Sequence, residues 1–454
     1  MKIARIDPEL IQKYARPGPR YTSYPTALQF TEEFSPSALT SEISSEASSQ
    51  LSLYFHLPFC EKQCWFCGCN TIISRSREKA DRYLDFLERE LDIYLQVDTL
   101  KRPVAQMHFG GGTPNFLSVE QIERLGRIIH ARFQFASDAE CSVELAPAHL
   151  HEEQVEAFAA MGLKRASFGV QDCQPDVQKA INRIQPHELN HQAMNWLRGN
   201  GFESVNIDLI YGLPLQTPAS FSDTLDQALE LNPDRLAIFN YAHVPWLKPA
   251  QKMLEKHPRP DPEQRLEILQ NLIDKLENAG YAYIGMDHFA RKSDELVKAQ
   301  DAGTLQRNFQ GYSTRAGCDI AAFGISSISQ TAKSYRQNVK SLREYEAAIE
   351  AGTLPIERGL ILSEDDVLRR EVINKIMCHG KLDFSPIEAK YKISFCTYFS
   401  DALIKLSPMS EEGLVSISDT SLEVTPKGWQ LIRNIAMPFD AYLESKEKTY
   451  SKTV

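Results

Sequence analysis

The sequence predicts an α/β fold: a partial (β/α)6 barrel, preceded by an extended N-terminal arm and followed by a mostly helical C-terminal domain. Three observations carry this. Short β-rich runs alternate with helical patterns through the middle of the chain, the strands share one polar or small face, and Pro/Gly-rich segments punctuate both ends.

Taken in order, the runs are 51–56, 104–109, 140–144, 165–171, 204–209 and 235–240. Between the first two, Ala80, Tyr83, Leu84, Leu87, Leu91 and Leu95 form one helical stripe, and Ser118 with Gln121 has the pattern of a capping box for the next helix. Strand, helix, strand repeated this way calls for parallel strands with right-handed crossovers, and 281–286 would extend the sheet. Period-2 alternation puts Ser52, Tyr54 and His56 on one face, and likewise Ser142 and Glu144, then Ser167, Gly169 and Gln171, then Asn206 and Asp208. A closed barrel fills its interior with branched apolar side chains. A polar face implies a working cavity instead, with site residues at the C-terminal strand ends.

Residues 1–50 read as an extended arm, because the stretch from Arg16 to Pro25 is too Pro-rich for a helix or central strand. The barrel domain and its extension run over 51–350, a Gly/Pro linker lies at 350–359, and the C-terminal domain covers 360–454. There, helices at 363–378 and 385–407, a hairpin at 413–425 and a last helix near 427–445 predict a winged-helix-like unit acting as a lid or docking element.

With 24% charged residues and a net charge of −10, nonspecific nucleic-acid binding is not expected, and no basic recognition stripe is present. No apolar run is long enough to span a membrane, and the first residues lack a signal-peptide core. The expectation is a cytoplasmic monomer.

Cys60, Cys64 and Cys67 form a CxxxCxxC motif on one loop. Three thiolates can hold three irons of a cubane cluster and leave the fourth for a ligand, whereas a fully protein-ligated cluster takes four cysteines. On spacing alone a structural zinc site with Cys69 as fourth ligand stays open, as do disulfides, although nine cysteines in 454 residues is not a disulfide-dense composition. Gly110-Gly111-Gly112-Thr113-Pro114 joins a strand to a helix, where glycines allow close backbone approach to a ligand. It lacks the GK[ST] ending of a phosphate loop.

Together the two motifs resemble the radical S-adenosylmethionine (SAM) superfamily. The Cys69 that extends CxxxCxxC, the arm PGPRYTSYPTA, and the stretches FGVQD, NIDLIYGLP, FNYAH, GMDHFA and RNFQGY resemble the oxygen-independent coproporphyrinogen III oxidase (coproporphyrinogen dehydrogenase) family from Pro17 to about Tyr312. The resemblance implies a radical SAM barrel, one [4Fe–4S] cluster, two SAM molecules, and an external electron donor and acceptor. It implies conversion of two propionates of coproporphyrinogen III to vinyl groups, giving protoporphyrinogen IX. By matching positions, Cys60, Cys64 and Cys67 would hold the cluster. Tyr54, Gly111, Glu144 and Ile328 would contact the first SAM, and Phe66, Gly112, Thr113, Gln171, Arg183, Asp208 and Ala242 the second. Phe309 and Gln310 resemble a stretch near the active site. Glu144-Leu-Ala-Pro147 departs from the expected Glu-x-Asp-Pro, which puts that loop in question.

The substrate would carry four carboxylates into an acidic protein, so local cations must gather them. Arg16, Arg20, Arg291 and Arg307 are the candidates, set against the alternative of solvated surface arginines. Cys69 is left off the ligand list, and the remaining cysteines read as structural. Two competing functions are a haem-carrying radical SAM chaperone, which lacks the Cys69 position and the arm, and a zinc-stabilised regulator with a winged-helix reader.

Overall fold

The computed structural model describes residues 3–14, 16–34, 39 and 47–443. Parts of the arm, and the last predicted helix beyond 443, lie outside these. The barrel strands are β1 (Leu51–Leu57), β2 (Val104–Gly111), β3 (Phe135–Leu145), β4 (Arg165–Gln171), β5 (Ser204–Tyr211) and β6 (Arg235–Asn240). They lie side by side in sequence order, every pair parallel. Helices such as Arg77–Val97 and Val119–His130 make the crossovers. Ser118 caps the latter by accepting from the Gln121 N–H, while the Gln121 side chain accepts from the Ser118 N–H, so two otherwise orphaned donors are satisfied.

Outside the lumen the strand side chains are apolar and fully buried: Leu53, Phe55, Met107, Phe109, Val143, Phe168, Ile207 and Leu209. Phe55 stacks between Phe109 (5.1 Å) and Phe323 (5.4 Å). Each such side chain contributes about 2–3 kcal/mol relative to exposure. A register slip of one residue would turn this set into the lumen, so the pairing is strongly fixed.

The sheet is larger than the sequence predicts. β7 (Tyr281–Gly285) is the expected extra strand, but it does not continue the parallel series. It pairs antiparallel with β8 (His288–Arg291), which pairs antiparallel with β6. The hairpin of β9 (Gln306–Asn308) and β10 (Gly311–Ser313) reaches into the barrel, where Ser313 Oγ accepts from Gln106 Nε2 (3.4 Å). On the opposite edge, β11 (Asp319–Phe323) pairs parallel with β1. It is followed by antiparallel β12 (Ile328–Gln330), β13 (Ser334–Asn338) and β14 (Ile356–Ile361). The predicted linker at 350–359 therefore runs into a sheet strand. Gly and Pro mark a break only when no neighbouring strand supplies hydrogen-bond partners, and β13 supplies them here.

The arm carries a two-turn helix at Pro8–Tyr14 that the extended reading omits, whereas 16–25 holds neither helix nor regular strand. Buried Tyr24 ties the arm to both neighbours: its carbonyl accepts from Tyr335, and its hydroxyl accepts from the Ala441 N–H. In the C-terminal region the helix Glu364–His379 matches expectation. The predicted 385–407 helix breaks into Phe384–Tyr391, Phe395–Tyr398 and Ser400–Glu411, because Lys392 takes a left-handed conformation (φ 55°) that ends the first. The hairpin gains a third strand, Lys381–Asp383. The predicted final helix is replaced by short turns at Gly428–Leu431, Ile432–Ala436 and Met437–Phe439.

Candidate functional site

The C-terminal ends of the barrel strands open into a cleft of about 520 Å3. It is lined by Cys60, Cys64, Cys67 and Cys69, and by Phe66, Gly111, Gly112, Thr113, Glu144, Gln171, Arg183 and Asp208. One cavity therefore gathers the three motif thiols and most of the residues that the family pattern assigns to SAM.

The cysteine loop leaves β1 and is pinned at both ends. Ile72 N–H donates to the Pro58 carbonyl (2.7 Å), Ser74 N–H to Cys60 (2.9 Å), and Trp65 N–H to Ile181 (3.0 Å). Each thiol has its own neighbour. Cys60 Sγ lies 3.4 Å from Thr113 Oγ1, Cys64 Sγ accepts from Arg183 Nη1 at 3.7 Å, and Cys67 Sγ accepts from the Cys69 N–H at 3.4 Å. The Cys69 thiol donates toward Cys67, and burial opposes it. With help from Lys248 and Arg183, Cys67 is pulled down to about 6. Cys69 is pushed the opposite way by Cys67 and by burial, so of the two sulfurs Cys67 is the more readily ionised. Burial lifts Cys60 to about 11.

The glycine stretch crosses directly over this loop. Gly112 N–H donates to Leu57 (2.8 Å) and Thr113 N–H to Phe59 (2.9 Å). A Cβ on Gly112 would sit 2.5 Å from the Pro58 carbonyl carbon. Gly111, at φ +111°, would place one 2.6 Å from the His56 ring. Only glycine fits either position.

Below lies a belt of polar side chains. Cross-strand register aligns Tyr54 with His108 and His108 with Ser142, then Glu144 with Ser167 and Ser167 with Asn206. Glu144 accepts from His108 Nε2 (3.3 Å) and from the Gly111 N–H (3.4 Å). Burial pushes its carboxyl up, but His108, Gly111 and His56 outweigh this and hold it below the ordinary glutamate range. Asp208 accepts from Asn206 (2.7 Å) and Ser167 (3.2 Å), yet burial and the nearby Glu144 charge raise it to about 7. Two carboxyls of contrasting acidity thus face one cleft. Burial lowers His56 and raises Tyr54 well above its usual value; the two meet at 3.2 Å.

Other expected residues fall nearby or elsewhere. Tyr54 stacks on His108 (5.9 Å) beneath Glu144. The Ala242 carbonyl is joined to the Phe66 carbonyl through Gln251 Nε2, at 3.3 and 3.1 Å. Arg183 also donates to the Gly169 carbonyl (2.7 Å), which ties the cysteine loop to β4. The Ala146 at the unexpected ELAP position is clamped by Asn115 through both its N–H and its carbonyl, so the loop needs no acidic side chain to hold its shape. Ile328 does not line the cleft; it packs with Phe30, Tyr335 and Leu362. Phe309 lies edge-on to Tyr335 (5.8 Å) in the same cluster, and Gln310 sits at the turn of the β9–β10 hairpin. Arg16 is exposed, beside a separate cavity near the C-terminal region. Arg291 bonds the Pro233 carbonyl (2.9 Å) and Asn232 at the N-terminal end of β6, the opposite end from the cleft. Arg20 pairs with Asp287 (2.7 Å) and lies over Phe239, which lines the cleft, while Arg307 is buried over Tyr312.

Sequence reasoning missed His108, Lys248, Gln251, Phe239 and Asp287. His108 could have been found, since it shares a strand face with Gln106 and Gly110. Lys248, which donates to the Cys69 carbonyl (3.0 Å), arrives from a distant segment and leaves no local pattern.

The donor set fits an iron–sulfur cluster better than zinc. Among the described residues, the one trio of His, Cys, Asp or Glu donor atoms within 4.8 Å of one another is His187, His191 and Glu230, away from the cysteines. A tetrahedral zinc ion needs its sulfurs roughly 3.8 Å apart at Zn–S bonds of about 2.3 Å. The three motif thiols form no such close trio among the described residues, as suits ligands of separate irons of one cluster. Arg183 and Lys248 supply the positive charge that such a thiolate group requires.

Comparison with known proteins agrees. Residues 54–228 match the Radical SAM superfamily, and 362–431 match the HemN C-terminal domain. A curated oxygen-independent coproporphyrinogen III oxidase from Escherichia coli (strain K12) is 46% identical, with 99% of this chain and 98% of the relative covered. Its namesake in Pseudomonas aeruginosa is 41% identical, with 97% of each chain covered. A solved structure described as coproporphyrinogen III oxidase (HemN) from Escherichia coli, a radical SAM enzyme, superposes with a TM-score of 0.93 at 45% identity, covering 98% of this chain and 100% of that one. The protein is a radical SAM enzyme by fold and motif, and it belongs to the oxygen-independent coproporphyrinogen III oxidase family.

Proposed function

We propose that the protein oxidatively decarboxylates two propionate side chains of coproporphyrinogen III to vinyl groups, giving protoporphyrinogen IX with one [4Fe–4S] cluster and two SAM molecules. The observation that carries this is the shared cleft: the thiols of Cys60, Cys64 and Cys67 open on the same cavity as Gly111–Thr113, Glu144 and Asp208.

When bound, the cluster and SAM supply a 5′-deoxyadenosyl radical able to take a β-hydrogen from a propionate. The protein's own residues bind and orient. Cys60, Cys64 and Cys67 would hold the cluster, with Arg183 and Lys248 offsetting its charge. Glu144, kept ionised by His108, suits an ammonium group or ribose hydroxyls of one SAM, alongside Tyr54 and the Gly111 N–H, and the reading keeps Ile328 as a further contact of that SAM. Asp208, Gln171, Arg183, Gly112, Thr113, and the Phe66 and Ala242 backbone linked through Gln251 suit a second. Loss of a hydrogen atom, CO2 and one electron turns each propionate into a vinyl group. An external acceptor must take that electron, and an external donor must reduce the cluster. No helix of the described residues is long and apolar enough to cross a membrane. The reading places the enzyme in the cytoplasm as a monomer, which light scattering checks.

The test is anaerobic reconstitution with iron and sulfide, reduction, and addition of SAM and coproporphyrinogen III. The expected products are 5′-deoxyadenosine and, with an electron acceptor, CO2 and the divinyl porphyrinogen. Cys64→Ala should abolish both and lower the iron content. Stable haem binding with no turnover by the wild type would overturn the assignment in favour of a carrier.

A further inference from the structure

Two crossover helices of the barrel carry a group of donor atoms that the chemistry in the cysteine cleft does not use. The helix His187–Gly199 leads from β4 to β5, and Pro218–Glu230 leads from β5 to β6. His187 opens the first helix and His191 follows four residues on, so the helical period stacks the two rings on one face. Their centroids lie 4.5 Å apart, with the ring planes at 78°. Glu230, the last residue of the second helix, brings its carboxylate to 3.8 Å from His187 Nε2. One donor atom from each of the three residues lies within 4.8 Å of the other two.

An ordinary ion pair does not account for this arrangement. At 3.8 Å the His187–Glu230 contact is too long for a hydrogen bond. Both ring nitrogens of His187 are buried, and neither has a hydrogen-bond partner. Burying an imidazole without satisfying either nitrogen is costly, and such a group points to a ligand that the protein chain does not itself supply. The donor types say which ligand. Two imidazoles one helical turn apart, joined by a carboxylate from another element, are the set that zinc takes. At metal–ligand bonds of about 2.1 Å, tetrahedral donors stand roughly 3.4 Å apart. His187 and Glu230 are already close to that spacing. Glu230 is 64% exposed, so its carboxylate can rotate to close the remainder.

We propose that His187, His191 and Glu230 form a site for a divalent metal ion of the zinc type, with water completing the coordination, which staples the two helices together. The site is separate from the cysteine cleft and does not depend on the reaction proposed above. Its place in the fold gives it a mechanical consequence. The loop just before His187 carries Arg183, which donates to Cys64 Sγ (3.7 Å) and to the Gly169 carbonyl (2.7 Å). Gln185 in the same loop donates to the Gly169 carbonyl (3.0 Å) and to Asn190 (2.6 Å), the residue before His191. A metal bridging His187 and His191 to Glu230 therefore anchors the helix start from which the Arg183 loop hangs.

The reconstituted holoenzyme, its motif cysteines engaged by the cluster, tests this by equilibrium dialysis against micromolar zinc with metal analysis. One zinc per chain should bind in addition to the iron. X-ray absorption at the zinc edge should show nitrogen and oxygen donors with imidazole scattering, and no sulfur at about 2.3 Å. His191→Ala places the strongest helix former inside a helix, so the fold should survive while zinc affinity falls at least about tenfold. Glu230→Gln should weaken zinc less. His257→Ala, just after the helix Pro249–Lys256, is the control and should bind zinc as the wild type does. Zinc should raise the thermal unfolding midpoint of the wild type and leave that of His191→Ala unmoved. No uptake beyond the iron, equal uptake by wild type and His191→Ala, sulfur in the zinc shell, or a midpoint that zinc does not shift would each overturn the site.

Discussion

Two regions of the barrel hold carboxyl groups bonded to neighbouring segments, and they are finished differently. Glu90, on the helix Arg77–Val97, is 1% exposed and accepts three hydrogen bonds: from Tyr345 (2.7 Å), the Gly324 N–H (2.8 Å) and Asn338 (2.8 Å). Its partners come from the helix Leu342–Glu350, the turn after β11, and β13, so the group locks the extra strands to the barrel. Glu144 in the cleft accepts two longer bonds, at 3.3 and 3.4 Å, and its side chain stays 48% accessible. The first network is closed, and the second leaves acceptor capacity facing a cavity. A closed network stabilises a fold, whereas an open one waits for a ligand.

The contrast can be tested from its larger effects downward. Glu90→Ala strands three buried donors and should cost about 3 kcal/mol of stability in denaturant titrations. Its iron and sulfide content after reconstitution should stay near wild type. An unchanged unfolding midpoint would show that the closed network is not structural. Glu144→Gln should do the reverse, with SAM cleavage falling about 100-fold and the midpoint barely moving; a large stability loss with intact cleavage would erase the distinction.

Asp208 gives a subtler test through pH. Its carboxyl is raised to about 7 from an ordinary 3.8, so the fold favours the protonated form. Below about pH 4 both folded and unfolded chains are protonated there, and the site costs nothing. Above that the unfolded chain ionises freely and the folded one resists, so the penalty grows until about pH 7 and is complete at pH 8. Asp208→Asn should therefore make the cluster-free protein more stable than wild type at pH 8, by on the order of 2 kcal/mol, with the gap closing toward pH 4. A constant gap across that range would mean that Asp208 is not the titrating group.

Much of this was legible in the sequence, for a local reason. CxxxCxxC and the three glycines are short-range patterns, and strand alternation placed Tyr54, Glu144, Gln171 and Asp208 on the lumen face without knowledge of any contact. Arg291 and Arg307 looked alike as neighbours of family stretches, yet β8 carries the first to the far end of the barrel and the hairpin carries the second inside. Ile328 and Phe309 matched by position but pack into a shared apolar cluster, because burial of their side chains depends on how the arm's Phe30 covers them.

The chain alone fixed which atoms could bind a cluster, because ligand identity and spacing are written along the backbone, and it fixed the inward face of each strand, because side-chain period is geometric. Tertiary structure decided everything that depends on distant segments meeting. It brought Arg183 and Lys248 to the thiols, set Glu144 and Asp208 at different acidities through their different partners, and laid the arm's Arg20 on Asp287. Charge and solvation act through space, and sequence separation carries no record of them.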